Sequence, residues 1–209
     1  METAVIKSNK KFFTVQRMTL CAIFAALIVV CSWVAVPSPF APGVNFTLQT
    51  FAIILAGLLL SPLEALCSSI VYILLGVVGL PILSNFTTIY AKLPTVAGGY
   101  IIGFFIAPFL ISLVKNAIFK ITDKPGMAAA KKHTVHTVVY IVVAIVIGIL
   151  AVDIPGVIQG KILTGADWGK SIVMFAISFM PTDILKCVVA AIVAAALEKP
   201  VALLLKEKY

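Results

Sequence analysis

The sequence predicts an all-α integral membrane protein built as a bundle of six transmembrane helices. Composition is the first reason, because 62% of the 209 residues are hydrophobic and only 11% are charged, with a mean hydropathy of +1.16. A soluble domain of this length has roughly 45–50% apolar and about 25% charged residues, so this chain cannot cover its apolar surface with a polar exterior. The other two reasons are the lengths of the apolar runs and the clustering of lysines and arginines at their ends.

The first half of the chain contains three predicted spans, since a helix needs about 20 apolar residues to cross a hydrocarbon core. These spans are residues 18–36, 47–60 and 63–80. Pro37 and Pro39 end the first span, and Ser61-Pro62 forms a tight turn between the second and the third. The mixed, polar stretch at 81–95 is predicted to be a loop that folds back over the bundle.

The second half supplies three more spans, predicted at residues 96–114, 135–150 and 181–205. A basic segment at 115–132 separates the fourth span from the fifth. The sequence Asp153-Ile154-Pro155-Gly156 is predicted to end or kink the fifth span. The apolar run at 171–180 is too short to cross, and Pro181 lies where the start of a helix tolerates proline.

The positive charges predict the orientation. Twelve of the sixteen lysines and arginines lie in the amino-terminal segment, the middle loop or the carboxyl-terminal tail, and only Lys92, Lys161 and Lys170 lie on the other side. Positive residues accumulate in the cytoplasm, so we predict a multi-pass protein of the cell membrane with both termini cytoplasmic. Residues 1–17 are then a cytoplasmic segment, and 18–209 form one transmembrane domain.

The net charge of +8 is therefore a sign of topology. The lysines are not interleaved with aromatic residues, as a nucleic-acid interface requires, so we expect no nucleic-acid partner. Contact of the basic middle loop with anionic membrane lipid is a second interpretation of the same charges.

Asp183 and Lys186 are the sharpest candidate for a binding site. They are three residues apart and share one face of a helix. Charged groups inside a membrane are costly and normally face the bundle interior or a wet cavity. The functional interpretation is a site for a ligand that has both an acceptor and a donor end. The structural alternatives are that the two residues simply pair, or that Lys186 extends to the membrane surface.

Other polar residues lie at helix ends on the same predicted outer side. Thr47 and Gln49 open the second span and Tyr100 opens the fourth. Each has a structural alternative: hydrogen bonds between helices for the first two, and a position in the interfacial aromatic belt for Tyr100. Gly99 and Gly103 form a small-residue pair that predicts close helix packing.

Ala22 and Ala26 form a second small-residue pair, in the first span. One interpretation is packing inside the bundle, and the other is docking onto a partner membrane subunit. Spacing alone does not distinguish them.

The sequence contains no nucleophile–base pair, P-loop or zinc signature. We therefore predict a non-enzymatic chain without a cofactor or a metal site, so that the energy for any active transport comes from another subunit or an ion gradient. His133, His136, Glu64 and Asp123 are predicted to be solvated, and the inner helix ends are expected to hold no polar cluster comparable to the outer one.

Four segments in series resemble one family. They are VNFTLQTF at 44–51, YILLGVVGLP at 72–81, GGYIIGF at 98–104 and PTDILK at 181–186. Together they resemble the BioY family, the biotin-binding S components of energy-coupling factor (ECF) transporters, over about residues 18–200. Asp153 stands where an aromatic residue is expected, and its role is open, as are those of Tyr90 and Lys92.

The resemblance implies a six-helix bundle that captures biotin at its outer face and associates with a transmembrane coupling protein and two ATPases. Asp183, Lys186 and Asn85 would make polar contacts with biotin, and Gln49, Thr47 and Tyr100 would line the pocket. Ala22 and Ala26 would face the coupling protein. A lysine suits the carboxylate of biotin, and Asp or Asn suits its ureido N–H groups.

Two rival functions remain. The first is that of an S component for another vitamin, such as thiamin, riboflavin or folate. The second is that of a small membrane enzyme or enzyme-anchoring subunit.

Overall fold

The structure, a computed structural model, describes residues 14–41 and 43–205, and these residues are mainly helical. The predicted cytoplasmic lysines Lys7, Lys10, Lys11, Lys206 and Lys208 lie outside the described residues. The first elements are α1 (Val15–Trp33), β1 (Ala35–Pro37), β2 (Asn45–Thr47), α2 (Gln49–Leu59), α3 (Pro62–Val77), a 3-10 turn (Ser84–Phe86) and α4 (Ile89–Lys92). The remaining elements are α5 (Ala97–Thr122), α6 (Ala129–Val143), a π-helical segment (Ala144–Gly148), α7 (Ile149–Thr164), α8 (Trp168–Ile172), a second π-helical segment (Val173–Ile177) and α9 (Met180–Leu204).

Four helical stretches of the described chain are long and apolar enough to cross a membrane: α1, α5, the continuous run from Ala129 to Thr164, and α9. The predicted spans at 47–60 and 63–80 correspond to the shorter helices α2 and α3, of 11 and 16 residues. Helix α2 is apolar on nearly all sides and packs against α1, α5 and α9. A helix that is apolar all round belongs in the interior, so α2 forms the centre of the bundle.

The prediction that residues 153–156 end the fifth span is wrong, whereas the alternative that they kink it stays a prediction. The helix runs through Asp153 and Pro155 to Thr164, where Gly165 takes a left-handed conformation with φ 67°. Proline is tolerated within membrane helices because local π adjustments and neighbouring helices compensate for the lost hydrogen bond, and a π-helical segment lies directly before α7. Asp153 is therefore in a helix and not in an outer loop.

Helices α5 and α7 approach closely at glycines, as the small-residue pair predicted. A Cβ atom on Gly99 would lie 2.3 Å from the carbonyl oxygen of Pro155, and one on Gly103 would lie 2.8 Å from the Cα of Val152. Gly156 on α7 allows the same close approach from the other side, because the ring of Tyr100 occupies the space that a side chain at this position would take. This packing presses the start of α5 against the middle of α7.

The end of the bundle at which α1 begins and α9 ends, here called the termini end, holds a network of buried polar groups. His136 is 3% exposed, and its Nδ1 lies 2.5 Å from Glu198 Oε1 while its Nε2 lies 2.9 Å from Asp123 Oδ1. Its ring stacks on Phe119 with centroids 3.9 Å apart. The prediction that His136 is solvated is wrong, whereas His133 is exposed as expected.

Two further charged residues at the termini end are buried. Lys115, in a segment predicted as a basic loop, lies in α5 and donates from Nζ to the carbonyl oxygens of Leu58 and Leu60, at 2.7 and 3.2 Å. A cation there satisfies carbonyls at the end of α2 and complements its dipole. Glu64 is 3% exposed, caps α3 at Ser61 and pairs with Arg17, so its predicted solvation is also wrong. The expectation that one end of the bundle holds no polar cluster comparable to that at the other end fails with it.

The opposite end, here called the cavity end, is closed by short elements. Strands β1 and β2 pair antiparallel, with Ala35 opposite Thr47, and deliver the chain to the start of α2. The predicted loop at 81–95 contains the 3-10 turn and α4. Gln159 of α7 fixes this loop by donating from Nε2 to the carbonyl oxygens of Leu93 and Thr95, at 2.8 and 2.6 Å.

Candidate functional site

A cavity opens at the cavity end between the starts of α2, α5 and α9, the middle of α7 and the loop before α4. The free space between its walls, including the mouth, is about 600 Å³. The polar lining residues are Asn45, Thr47, Gln49, Thr50, Ser84, Lys92, Tyr100, Asp153, Asp183 and Lys186, and the hydrophobic ones include Val44, Leu83, Ile101, Phe104 and Phe179.

Asp183 and Lys186 both line this cavity. Pro181 in the first turn of α9 places Asp183 close to the start of the helix. Lys186 Nζ donates to Asp183 Oδ1 at 2.8 Å, and the side chains are 15% and 7% exposed. Pairing offsets part of the cost of burying each charge. An ammonium has three donors and a carboxylate two acceptor oxygens, so one contact does not exhaust the capacity of either group for a ligand.

Tyr100 lines the cavity from the start of α5. It is 6% exposed, its ring packs on Gly156, and it lies 5.9 Å from the ring of Phe179. Its hydroxyl donates to the carbonyl oxygen of Phe175. Tyr100 is therefore inside the bundle and not in an interfacial belt. Phe179 was missed by the sequence analysis, because one phenylalanine among thirteen carries no local signal.

Gln49 and Thr47 also line the cavity. Gln49 is 2% exposed, and its Nε2 donates to the hydroxyl of Tyr72 at 2.8 Å, which fixes its amide at the cavity wall. Thr47 ends β2 and enters the cavity because the strand register sets the start of α2. The tyrosine in the YILLGVVGLP segment therefore supports the site from behind.

Asn85 is the one predicted ligand contact that the structure does not bring to the cavity wall. It is exposed, in a left-handed conformation with φ 60° in the 3-10 turn. Its neighbour Ser84 lines the cavity and accepts a hydrogen bond from Asn45 Nδ2 at 3.1 Å. Sequence analysis missed both residues, since serine and asparagine in a loop have many structural roles.

The three residues whose roles were open are now placed. Lys92 lines the cavity from α4, whereas the hydroxyl of Tyr90 donates to the carbonyl oxygen of Val77 at 2.6 Å and holds the loop on α3. Asp153 lines the cavity and is 5% exposed, and its Oδ2 has no hydrogen-bond partner among the described residues. An acidic residue in an apolar helix is a signal that could have marked it.

Ala22 and Ala26 are exposed on α1, whereas Ala25 between them is buried. The interpretation that the pair packs inside the bundle is therefore wrong for this chain. The pair lies on a lateral face with Ile23 and Val30, both about half exposed. Among the described residues there is also no group of three or more His, Cys, Asp or Glu side chains that could hold a metal ion.

Comparison with known proteins identifies relatives of this arrangement. The family model described as the BioY family matches residues 6–203. The biotin transporter BioY of Thermotoga maritima is 30% identical over 88% of this chain and 96% of its own length. The biotin transporter BioY2 of Lactococcus lactis subsp. cremoris is 28% identical, with 90% and 92% covered. A crystal structure of the S-component for biotin from an ECF-type ABC transporter is 26% identical, has a TM-score of 0.75 and is matched over 88% of this chain and 92% of the other.

Proposed function

This chain belongs to the BioY family, and on that premise we propose that it binds biotin in the cavity and serves as the substrate-binding S component of an ECF-type transporter. Its relatives are named transporters, so it is a transport subunit and not an enzyme. The rival function of a small membrane enzyme or anchoring subunit is set aside on the same ground.

The observation that carries the proposal is a charged pair in a cavity whose walls combine polar and hydrophobic side chains. Asp183 offers a carboxylate to N–H donors, and Lys186 offers N–H donors to a carbonyl or carboxylate. Biotin has both kinds of group, a ureido ring with two N–H donors and a carboxylate on a flexible chain. Its apolar body fits walls such as Tyr100 and Phe179. Few precisely placed polar groups in an apolar pocket are the usual basis of small-molecule specificity.

We infer six spans, with α2 and α3 as the two short ones. An 11-residue helix rises about 16 Å, roughly half of a hydrocarbon core of about 30 Å. Helix α2 tolerates this length because other helices surround it, so it need not match the lipid thickness. With six spans, the bias of lysines and arginines supports a plasma-membrane protein whose termini and termini end face the cytoplasm and whose cavity faces outside.

The partners proposed for the chain are a transmembrane coupling protein and two ATPases. The related solved structure is that of the S-component for biotin from an ECF-type ABC transporter. Ala22 and Ala26 supply a small-residue face on α1 that leaves room for close approach of another membrane helix. We propose this face as the contact for the coupling protein.

The test is calorimetric titration of the detergent-purified chain with biotin, thiamin, riboflavin and a folate. We expect tight binding of biotin and no heat from the other three, because they lack the ureido ring. Tight binding of another vitamin with no response to biotin would end the biotin assignment and leave the S-component fold in place.

A further inference from the structure

Asp153 is a buried acidic residue whose carboxyl group is not fully hydrogen-bonded. The residue is 5% exposed, and its Oδ2 is buried without a hydrogen-bond partner among the described residues. Leaving such a polar atom unpaired destabilises the folded protein, and does so more strongly for a charged group. A bound ligand that donates a hydrogen bond to this oxygen would remove that destabilisation.

The surroundings show from which side that partner comes. On one side of α7, Asp153 borders a groove whose other lining residues are hydrophobic, among them Ile154, Val157 and Met180. On the other side it lines the cavity that holds Asp183 and Lys186. Trp168 is the one residue of this groove with a side-chain N–H, and it does not donate to Asp153 Oδ2, so we take the donor to Asp153 to enter through the cavity.

Two donors of the cavity lining already have acceptors, since Lys186 donates to Asp183 and the hydroxyl of Tyr100 donates to Phe175. The cavity presents two carboxyl groups near one another and near Lys186, and its lining also includes Lys92. A ligand with two N–H groups can donate one to each carboxyl group.

We propose that Asp153 is a ligand-binding residue that accepts a hydrogen bond from an N–H of the bound ligand, beside Asp183. This inference rests on the proposed binding of biotin and adds a specificity-determining residue to it. A second acceptor selects ligands whose ring has N–H donors on both sides, as the ureido ring does. It also favours a cationic donor group over a neutral one.

The test compares Asp153→Asn with the parent chain. The amide keeps the size of the side chain but replaces one acceptor oxygen with an NH₂ group that cannot accept, so we expect biotin to bind about tenfold more weakly. For 2-iminobiotin, in which a guanidinium replaces the ureido group, we expect a larger loss, because a carboxyl group can ionise opposite its positive charge and an amide cannot. Calorimetric titration measures both.

The control is Asp167→Asn, the same chemical change at an exposed residue before α8. The amide of Lys170 donates to Asp167 Oδ1 at 3.0 Å, which holds the pKa of that carboxyl below its usual range. Asparagine caps a helix about as well as aspartate, so this variant should fold and bind like the parent. A loss of affinity equal in both variants would overturn the proposal.

Thermal unfolding of the ligand-free proteins separates a binding role from a structural one. Removing an unpaired buried carboxylate should leave the melting temperature of Asp153→Asn unchanged or raised. A lower melting temperature, a failure to fold, or parent-like affinity for both ligands would each overturn the role of Asp153. A parent chain that does not bind biotin at all would instead overturn the proposed function.

Discussion

Buried charges occur at both ends of this bundle, but the fold treats them differently. At the termini end His136 has a carboxylate at each ring nitrogen, Lys115 contacts two carbonyl oxygens, and Arg17 pairs with Glu64. At the cavity end the pair Asp183–Lys186 faces open space, and Asp153 has an oxygen with no partner. Both sets border open space, about 700 Å³ at the termini end and about 600 Å³ at the cavity end with their mouths included, but the first set also joins helices.

The contacts of a buried charged residue distinguish a structural role from a functional one in this bundle. Both ends contain polar groups in an apolar sequence, so polarity alone does not distinguish them. The contacts do, because each charged residue named at the termini end contacts a group from another helix. One oxygen of Glu198 there has no partner among the described residues, although its other oxygen contacts His136.

The largest effect is expected from breaking the termini end. His136→Ala leaves Asp123 and Glu198 without their shared partner and removes the stack on Phe119. Since two carboxyl groups lose their shared hydrogen-bond partner, and each buried polar group left unpaired costs about 1–3 kcal/mol, we expect a lower melting temperature in detergent. Biotin affinity of the folded protein should change by less than about twofold, because distant sites act independently.

The control for that experiment is His133→Ala, which removes an exposed histidine one turn earlier. It should melt like the parent. Equal stability of the two variants would show that the network at the termini end contributes nothing measurable, and the contrast between the two ends would fail.

A smaller effect, of the opposite kind, is expected at the cavity end. Asp183→Asn or Lys186→Ala should weaken biotin binding by about tenfold to a hundredfold, the equivalent of a lost charged hydrogen bond of roughly 1.5–3 kcal/mol. The protein should stay folded. Calorimetric titration measures the change, with Lys170→Ala as the control because Lys170 is 78% exposed. Parent-like affinity in both variants would make the pair structural, like the groups at the termini end.

The smallest effect on the chain itself is expected on the lateral face. Ala22→Phe or Ala26→Phe fills exposed space on α1, so stability and biotin affinity should both stay within error of the parent. Recovery of the coupling protein in a pull-down should fall. Ala196→Phe, also exposed but on α9, is the matched control. Equal recovery with all three variants would remove α1 as the docking face.

Sequence analysis was reliable where the information is local. The pairing of Asp183 with Lys186 follows from their spacing of three residues, and the close approach at Gly99 and Gly103 follows from a spacing of four. It failed for His136, whose partners are 13 and 62 residues away, because no local pattern indicates such contacts. It also ended the fifth span too early, since Pro155 breaks helices in water but is tolerated within a packed membrane bundle.

Composition alone indicates a membrane protein, because the apolar surface of the chain exceeds what any soluble fold can bury. Residue spacing indicates which helix faces carry polar groups. Which of these groups share a space depends on how the helices pack. Five of the six predicted ligand contacts line one cavity, with Asp153, Ser84 and Phe179 added and Asn85 outside it. The physical reason is that hydrogen bonds within a helix turn follow from spacing, whereas a cavity is what remains after helices distant in sequence have packed.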